Sequence, residues 1–159
     1  MTPPPAWLPP MMSVDPWTTE TFDLLYEIFE QDFKMDQPTY SGRAVWFFPE
    51  MEDGKEKIFW HLTQKEDQAT RVRLPDCRRS ERLPWVRPMI NNATDPAITT
   101  WDYPEARGKV NTYIWLKNWD FLVLLKKYPD GRRRLLTSYY IEYSNYRRKL
   151  EKKYEARVQ

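Results

Sequence analysis

The only histidine of the 159-residue chain, His61, stands in an aromatic run that extends from Phe59 to Thr63. Histidine titrates near neutral pH, so it is the usual group for moving a proton, for instance from a ribose 2′-hydroxyl or to a leaving 5′-oxygen. A lone histidine among aromatic residues is more often a structural residue with satisfied hydrogen bonds. Which role applies depends on the groups that the fold places beside it.

Six arginines and no lysine occur between residues 71 and 87. The planar guanidinium group binds phosphate through paired hydrogen bonds and stacks on bases, which suits phosphoryl-transfer sites and RNA surfaces. If this segment is helical, Arg79 and Arg82 lie on the same face. The alternative is a solvated helix with surface pairs such as Arg78 with Glu81.

Hydroxyl groups accompany cations in the segment from Arg132 to Tyr140. Alternate residues of a strand share a face, which groups Thr137 and Tyr139 with Arg133. Both hydroxyls are able to donate to a developing phosphorane oxygen, and tyrosine also stacks on bases or relays protons. An ordinary half-buried strand is the alternative, because hydroxyl residues are common in strands.

Several enzyme classes are disfavoured by what the sequence lacks. One histidine and one cysteine leave no HExxH motif, no zinc site built on paired cysteines and no Cys/His dyad. The four glycines form neither a Walker loop nor a GxGxxG motif. The carboxylates of the basic part of the chain are scattered, whereas a metal-dependent nuclease needs converging carboxylates. We therefore expect no metal and no cofactor.

Charge is distributed unevenly along the chain. Residues 1–56 hold eleven acidic and three basic side chains, whereas residues 57–159 hold 22 basic and 12 acidic ones. The basic part indicates a nucleic-acid partner, and a surface with Lys and Arg scattered for solubility is the alternative.

The single cysteine indicates a reducing compartment, and neither a signal peptide nor an apolar run of about 20 residues is present. We therefore expect a cytoplasmic protein without membrane contact.

These groups must be positioned by one domain, since 159 residues with 41% hydrophobic side chains suffice for a single core. The five prolines of residues 1–14 predict an N-terminal arm that docks on a domain of residues 15–159. Helical spacing, turn residues and β-branched or aromatic runs predict the elements of this domain. Helices are predicted at residues 16–34 and 145–157, an interrupted helical region at 74–93, and strands at 43–48, 57–63, 110–117, 120–127 and 132–142.

Four short motifs, taken in this order, resemble the phage and prophage branch of the barnase, EndoU, colicin and RelE (BECR) superfamily of small RNases. The motifs are Tyr26 to Phe33, Phe59 to Thr63, Arg73 to Asp76 with Arg79 and Arg82, and Leu136 to Tyr140. The similarity runs from about residue 17 to residue 155. In much of the superfamily alanine follows the threonine of the last motif, whereas this chain has Ser138.

The resemblance implies an α+β fold in which N-terminal helices pack on a twisted antiparallel β-sheet of four to five strands, with a C-terminal helix. It implies a metal-independent endoribonuclease, of the kind found in toxins or phage-conflict systems, that cleaves RNA by attack of the 2′-hydroxyl on the adjacent phosphate. RNA is then the substrate. An antitoxin or immunity protein is the expected protein partner.

The resemblance also implies roles for individual residues. His61 is the general acid or base. Arg79 and Arg82 are the phosphate clamp. Thr137 and Tyr139 supply the hydroxyls of the last strand. Additional expected substrate contacts are Arg73, Trp85, Arg87, Arg133 and Tyr140.

Two other functions are compatible with the sequence. Members of the superfamily also persist as binding or regulatory proteins without catalysis, so a non-catalytic RNA- or protein-binding module on the same fold is one alternative. The other is an interaction protein that uses its acidic first third and its Pro-rich arm to bind a partner chain.

Overall fold

The computed structural model describes residues 2–159, which form an α+β domain with five α-helices and ten β-strands, and so confirms the predicted class. The helices are α1 (Thr19–Phe29), α2 (Lys57–Thr63), α3 (Cys77–Glu81), α4 (Leu83–Asn91) and α5 (Ser144–Glu155). The main sheet contains β1 (Thr39–Tyr40), β2 (Arg43–Trp46), β7 (Thr99–Pro104), β8 (Val110–Leu116), β9 (Phe121–Lys127) and β10 (Arg133–Tyr140). Two separate hairpins pair β3 (Met51–Glu52) with β4 (Lys55–Glu56) and β5 (Gln64–Glu66) with β6 (Arg73–Pro75).

The main sheet has the strand order β1-β2-β10-β9-β8-β7. Neighbouring strands are antiparallel except β2 and β10, which run parallel with Arg133 opposite Val45. The sheet thus differs from the expected antiparallel sheet of four to five strands, because it has six strands and one parallel pair. Strand β7 was not predicted, since its only local signals are two threonines and two aromatic residues interrupted by Asp102.

The sheet curls until its two edge strands approach each other. The hydroxyl of Tyr40 on β1 lies 2.8 Å from the hydroxyl of Thr100 on β7. The inner face holds the larger core, in which side chains such as Val123 pack with residues of α1, α2 and α4. The outer face packs against α5 through the buried Leu150, so the predicted C-terminal helix is confirmed.

Strand β10 contains an irregularity that the sequence pattern does not reveal. Between Leu135 and Thr137 its register with β9 shifts by one residue. Such a β-bulge reverses the orientation of the side chains that follow it. Thr137 and Tyr139 therefore lie on the opposite face from Arg133, and the prediction that the three share a face is wrong.

Residues 57–63, predicted as a strand, form the helix α2. The prediction was wrong because the aromatic content suggested a strand, whereas the spacing of the buried residues is helical. Ile58, Phe59 and Leu62 are all buried on one side, at intervals of one, three and four residues. His61 lies on the exposed side of the same helix.

The predicted helical region at 74–93 contains two helices, α3 and α4, as its prolines indicated, but its first residues, Leu74 and Pro75, belong to strand β6. The break lies at Arg82, immediately before the first turn of α4, which contains Pro84. Proline favours this position because the amide that it lacks would have no partner there. Helix α4 nevertheless continues through Pro88.

The first predicted helix begins at Thr19 rather than at Pro16, because Thr18 is its N-cap. The hydroxyl of Thr18 accepts the backbone N–H of Thr21 at 3.2 Å. From Glu30–Met35 the chain continues as a π-helix that buries Phe33.

The described part of the N-terminal arm, residues 2–14, packs along α3 and α4. The Met12 N–H donates to the Glu81 carbonyl at 2.8 Å, and the Trp85 indole donates to the Pro9 carbonyl at 2.8 Å. Val14 is buried. Within residues 2–159, no helix combines the length and the apolar character that crossing a bilayer requires.

Candidate functional site

The histidine lies in a surface pocket of about 410 Å³, here called the His61 pocket. Its walls are α2 and the two small hairpins β3–β4 and β5–β6. Five cationic side chains and two carboxylates line it, so its potential is positive. The cations are Lys57, Lys65, Arg71, Arg73 and Arg79, and the carboxylates are Glu52 and Glu66.

The local sequence explains how these walls are joined. The turn Asp53-Gly54 has positive φ at both residues, as a tight hairpin turn requires. The indole of Trp60 donates to the Glu52 carbonyl at 2.8 Å, which fixes this hairpin against α2. On the other side, the buried Ser80 hydroxyl donates to the Thr63 carbonyl at 2.6 Å and joins α3 to the end of α2.

The residue His61 is exposed, and its side chain lines the pocket. Partial desolvation by the surrounding protein lowers its pKa, and the positive charge of Arg79 lowers it further. The carboxylate of Glu52 acts in the opposite direction. The imidazole is therefore neutral at pH 7 and able to accept a proton.

Two of the expected partners of His61 do lie beside it, but they contact its backbone. Arg79 Nη1 donates to the His61 carbonyl at 2.6 Å and to the Gln64 carbonyl at 3.0 Å. The Thr137 hydroxyl donates to the same His61 carbonyl at 3.2 Å. Arg79 and Thr137 thus hold the end of α2, and through it the position of the histidine.

Arg82, the second expected clamp residue, is 7% exposed and lines neither the His61 pocket nor the neighbouring one described below. Its Nη1 donates to the Arg78 carbonyl at 2.9 Å and to Glu81 at 2.7 Å. Its guanidinium carbon lies 4.3 Å from the ring centroid of Tyr140. The structure therefore does not bring Arg82 to the histidine.

Arg73 is one expected substrate contact that the fold does bring to the His61 pocket. Its guanidinium group stacks on the Trp60 ring at 4.5 Å and pairs with Glu52 and Asp53. These carboxylates hold Arg73 at the rim, where its side chain is 26% exposed. A phosphate would compete with them for the same guanidinium group.

Trp85 and Arg87 were expected as substrate contacts, but neither of them lines the His61 pocket. Trp85 is 5% exposed and packs edge-on against Phe121 in the core. Arg87 pairs with Asp36 at 2.7 Å and donates to the Asp32 carbonyl at 2.8 Å. Both residues stabilise the packing of α4 in the fold.

Arg133 is likewise engaged away from the histidine, on the inner face of the curled sheet. It donates to the Thr112 hydroxyl at 2.8 Å and lies 3.4 Å from a carboxylate oxygen of Asp102. Its guanidinium carbon is 4.4 Å from the Tyr40 ring centroid. This set of contacts neutralises the interior charge of Asp102.

A second pocket of about 330 Å³, here called the tyrosine pocket, adjoins the first. Lys65 and Arg79 line both pockets, so these two residues form a wall that the pockets share. Tyr139 and Tyr140, predicted from the sequence, are in its wall. Four tyrosines line it in total, namely Tyr139, Tyr140, Tyr143 and Tyr146.

Sequence reasoning missed most of the cations around the histidine. Lys57 precedes His61 by four residues, which places the two on one helix face once α2 is recognised as a helix. Lys65 and Arg71 belong to the second hairpin and its loop. Arg71 belongs to the arginine-rich segment noted above but was not assigned to the site, and no local motif marks Lys65, because it is the hairpin that carries both to the pocket.

A cavity of about 400 Å³ lies elsewhere, at the end of the main sheet, near Lys109 and Pro129. Its lining contains no histidine. Among residues 2–159 no three His, Cys, Asp or Glu side chains are grouped so that they could hold a metal ion. The His61 pocket therefore remains the strongest candidate site.

Comparisons with known proteins give no match: no protein-family model, no curated protein and no solved structure is significantly similar to this chain.

Proposed function

We propose that the protein is a metal-independent endoribonuclease of the BECR type, acting as a toxin or in phage conflict and restrained by a neutralising protein partner. The observation that supports it best is an exposed imidazole with a lowered pKa in a pocket lined by five cations and two carboxylates. A proton acceptor surrounded by phosphate-binding groups is what RNA cleavage requires.

In the proposed reaction the 2′-oxygen of a ribose forms a bond to the adjacent phosphorus. The bond from phosphorus to the 5′-oxygen breaks, which gives a 2′,3′-cyclic phosphate and a 5′-hydroxyl. The proton of the 2′-hydroxyl passes to the neutral imidazole of His61. The leaving 5′-oxygen takes a proton from solvent.

The phosphate contacts assigned here differ from the expected clamp. Lys65 makes no ion pair with any other residue in the range 2–159, so its ammonium group is available to a phosphate. Lys57 lies one helical turn from His61 and is 42% exposed in its side chain. Arg73 contributes a guanidinium group that is already oriented by Trp60. Arg79 positions the histidine rather than binding phosphate.

The experiment is a cleavage assay on total RNA in excess EDTA. Wild-type protein is expected to cut, and His61→Ala is expected to lose roughly 100- to 10,000-fold of the rate, the range of one general acid or base. Imidazole added to His61→Ala should restore part of the activity, because it supplies the missing proton acceptor. Leu24→Ala, at an exposed position on α1, is the matched control and should cut like wild type.

Cutting that depends on added magnesium or manganese would overturn the proposal. So would wild-type activity in His61→Ala. Urea unfolding of each variant separates loss of chemistry from loss of fold.

A second candidate is an RNA-binding module without catalysis. It is favoured by the burial of Arg82 and by the two backbone carbonyls that Nη1 of Arg79 already binds, which leave the expected clamp with fewer guanidinium donors for a phosphate. In that case wild-type protein binds RNA with steep salt dependence but does not cut it, and His61→Ala leaves binding almost unchanged.

A further inference from the structure

The tyrosine pocket contains one aromatic ring that the protein itself does not use. Tyr139 and Tyr146 donate and accept a hydrogen bond between their hydroxyls, and their rings meet edge-on. The ring of Tyr140 lies under the guanidinium groups of Arg82 and Arg78, at 4.3 and 5.1 Å. These three rings are occupied by contacts within the protein.

Tyr143 differs from the other three. It is 68% exposed, and within residues 2–159 its ring has no aromatic neighbour, no cation above it and no hydrogen bond from its hydroxyl. It lies directly before α5, where its carbonyl accepts the N–H groups of Tyr146 and Arg147 at 3.1 and 3.2 Å. The backbone is therefore fixed while the ring faces solvent at the rim of the pocket.

The charges around this ring suit a polyanion. Lys65, Arg78 and Arg79 line the tyrosine pocket, against the carboxylates of Asp76 and Glu142. Asp76 is already engaged, since it caps α3 by accepting the Arg79 N–H at 3.0 Å. Lys65 stands between this pocket and the histidine, where it can contact a backbone that runs from one to the other.

We propose that the tyrosine pocket binds a nucleobase of single-stranded RNA, stacked on Tyr143, next to the nucleotide whose phosphate occupies the His61 pocket. This inference rests on the proposed RNA substrate. An exposed ring beside a positively charged groove is the arrangement by which proteins bind single strands, because every base has a face that stacks. A base paired within a duplex does not present that face, so the site selects single strands.

The test measures binding without cleavage. The probe is a fluorescein-labelled hexamer of 2′-O-methyl RNA, which lacks the attacking hydroxyl, and its anisotropy reports the dissociation constant. Tyr143→Ala is expected to weaken binding by about 5- to 100-fold, the range for one lost base stack, whereas Tyr143→Phe keeps the ring and binds like wild type. Met35→Ala, at a position that is 80% exposed on the π-helical turn, is the matched control.

A double-mutant cycle identifies the stacked base. Hexamers with one abasic position are compared with the intact hexamer on wild-type protein and on Tyr143→Ala. At one position the abasic site should weaken binding to wild type and have no further effect on Tyr143→Ala, because both changes remove the same contact. If the two losses multiply at every position, or if Tyr143→Ala binds like wild type, the inference is overturned.

This result is independent of the cleavage assay. Coupling between Tyr143 and a base in a protein that does not cut RNA rejects the nuclease proposal and keeps the stacking site. Cleavage that depends on His61, without any effect of Tyr143→Ala, keeps the nuclease and rejects the stacking site.

Discussion

At the scale of single residues, the arginines of this chain divide by the groups that they contact. Arg82 is buried beneath Tyr140, and Arg79 is bonded to two backbone carbonyls. Arg73 is held at a pocket rim by carboxylates that an incoming anion could displace. Burial and bonds to backbone carbonyls make Arg82 and Arg79 parts of the folded structure, whereas the carboxylate partners of Arg73 leave it able to exchange them for an anion.

His61 is the only histidine of the chain, so its ring signals in an NMR titration can be assigned without ambiguity. Desolvation, then Arg79 and Lys57, lower its pKa, so the NMR titration midpoint of its ring should lie below about 6.5. Lys57→Gln removes one of these cations and should raise the midpoint. Lys152→Gln, on the exposed side of α5, should leave it unchanged.

The sign of the pH dependence follows from this shift. The unfolded chain binds the proton more readily than the folded one, so His61 makes the protein less stable as the pH falls below about 6.5. The acid limb of the cleavage rate should follow the NMR midpoint and move upwards in Lys57→Gln. A midpoint above 6.5 in the wild type would contradict the assignment of the lowered pKa.

At the scale of elements, helix α2 is seven residues long and depends on its neighbours for stability. Arg79 donates to its carbonyl groups, and Ser80 donates to the carbonyl of Thr63. Both donors come from α3, so the position of the histidine depends on the junction of these two helices.

Arg79→Ala tests this junction. Removing a charged donor from two carbonyls should lower the free energy of unfolding by about 2 to 3 kcal/mol. Arg78→Ala, at the exposed neighbouring position, should cost less than about 1 kcal/mol. Urea unfolding measures both changes, provided that the slope of the unfolding free energy against urea concentration is the same in each variant. Equal urea midpoints for Arg79→Ala and Arg78→Ala would contradict the stabilising role of Arg79.

Some helices and strands could be predicted from the sequence alone, and others could not. Strands β8, β9 and β10 and helix α5 were predicted within a few residues, because β-branched runs and a four-residue spacing identify them locally. The bulge in β10 and the burial of Arg82 arise from tertiary pairing, so no local pattern indicates them. The convergence of His61, Arg79 and Thr137 was expected, but their contact through a backbone carbonyl was not.

At the scale of the whole molecule, the N-terminal arm is part of the folded domain. Three side chains of the arm pack against the core, namely Trp7, Leu8 and Met12. Two hydrogen bonds join the arm to α3 and α4, one from the Met12 N–H to the Glu81 carbonyl and one from the Trp85 indole to the Pro9 carbonyl. These contacts within the chain mean that the arm stabilises the domain.

Deleting residues 2–13 should therefore lower the free energy of unfolding by roughly 3 to 5 kcal/mol, through lost apolar burial and two lost hydrogen bonds. Thermal unfolding followed by circular dichroism measures the change. Pro3→Ala and Pro4→Ala, at exposed positions of the same arm, should leave the melting temperature within about 1 °C of wild type. An unchanged melting temperature in the deletion variant would mean that the arm is free to serve a partner instead.

The edges of the main sheet are covered in different ways. On one side β1 has only two residues, and α2 lies along β10 where β2 ends. On the other, the Val158 N–H donates to the Asp102 carbonyl of β7 at 2.9 Å, and that strand ends in Pro104. Short length on one side, and the C-terminal residues with a proline on the other, limit the free amide and carbonyl groups that another copy could extend, so we expect the folded chain to resist strand addition.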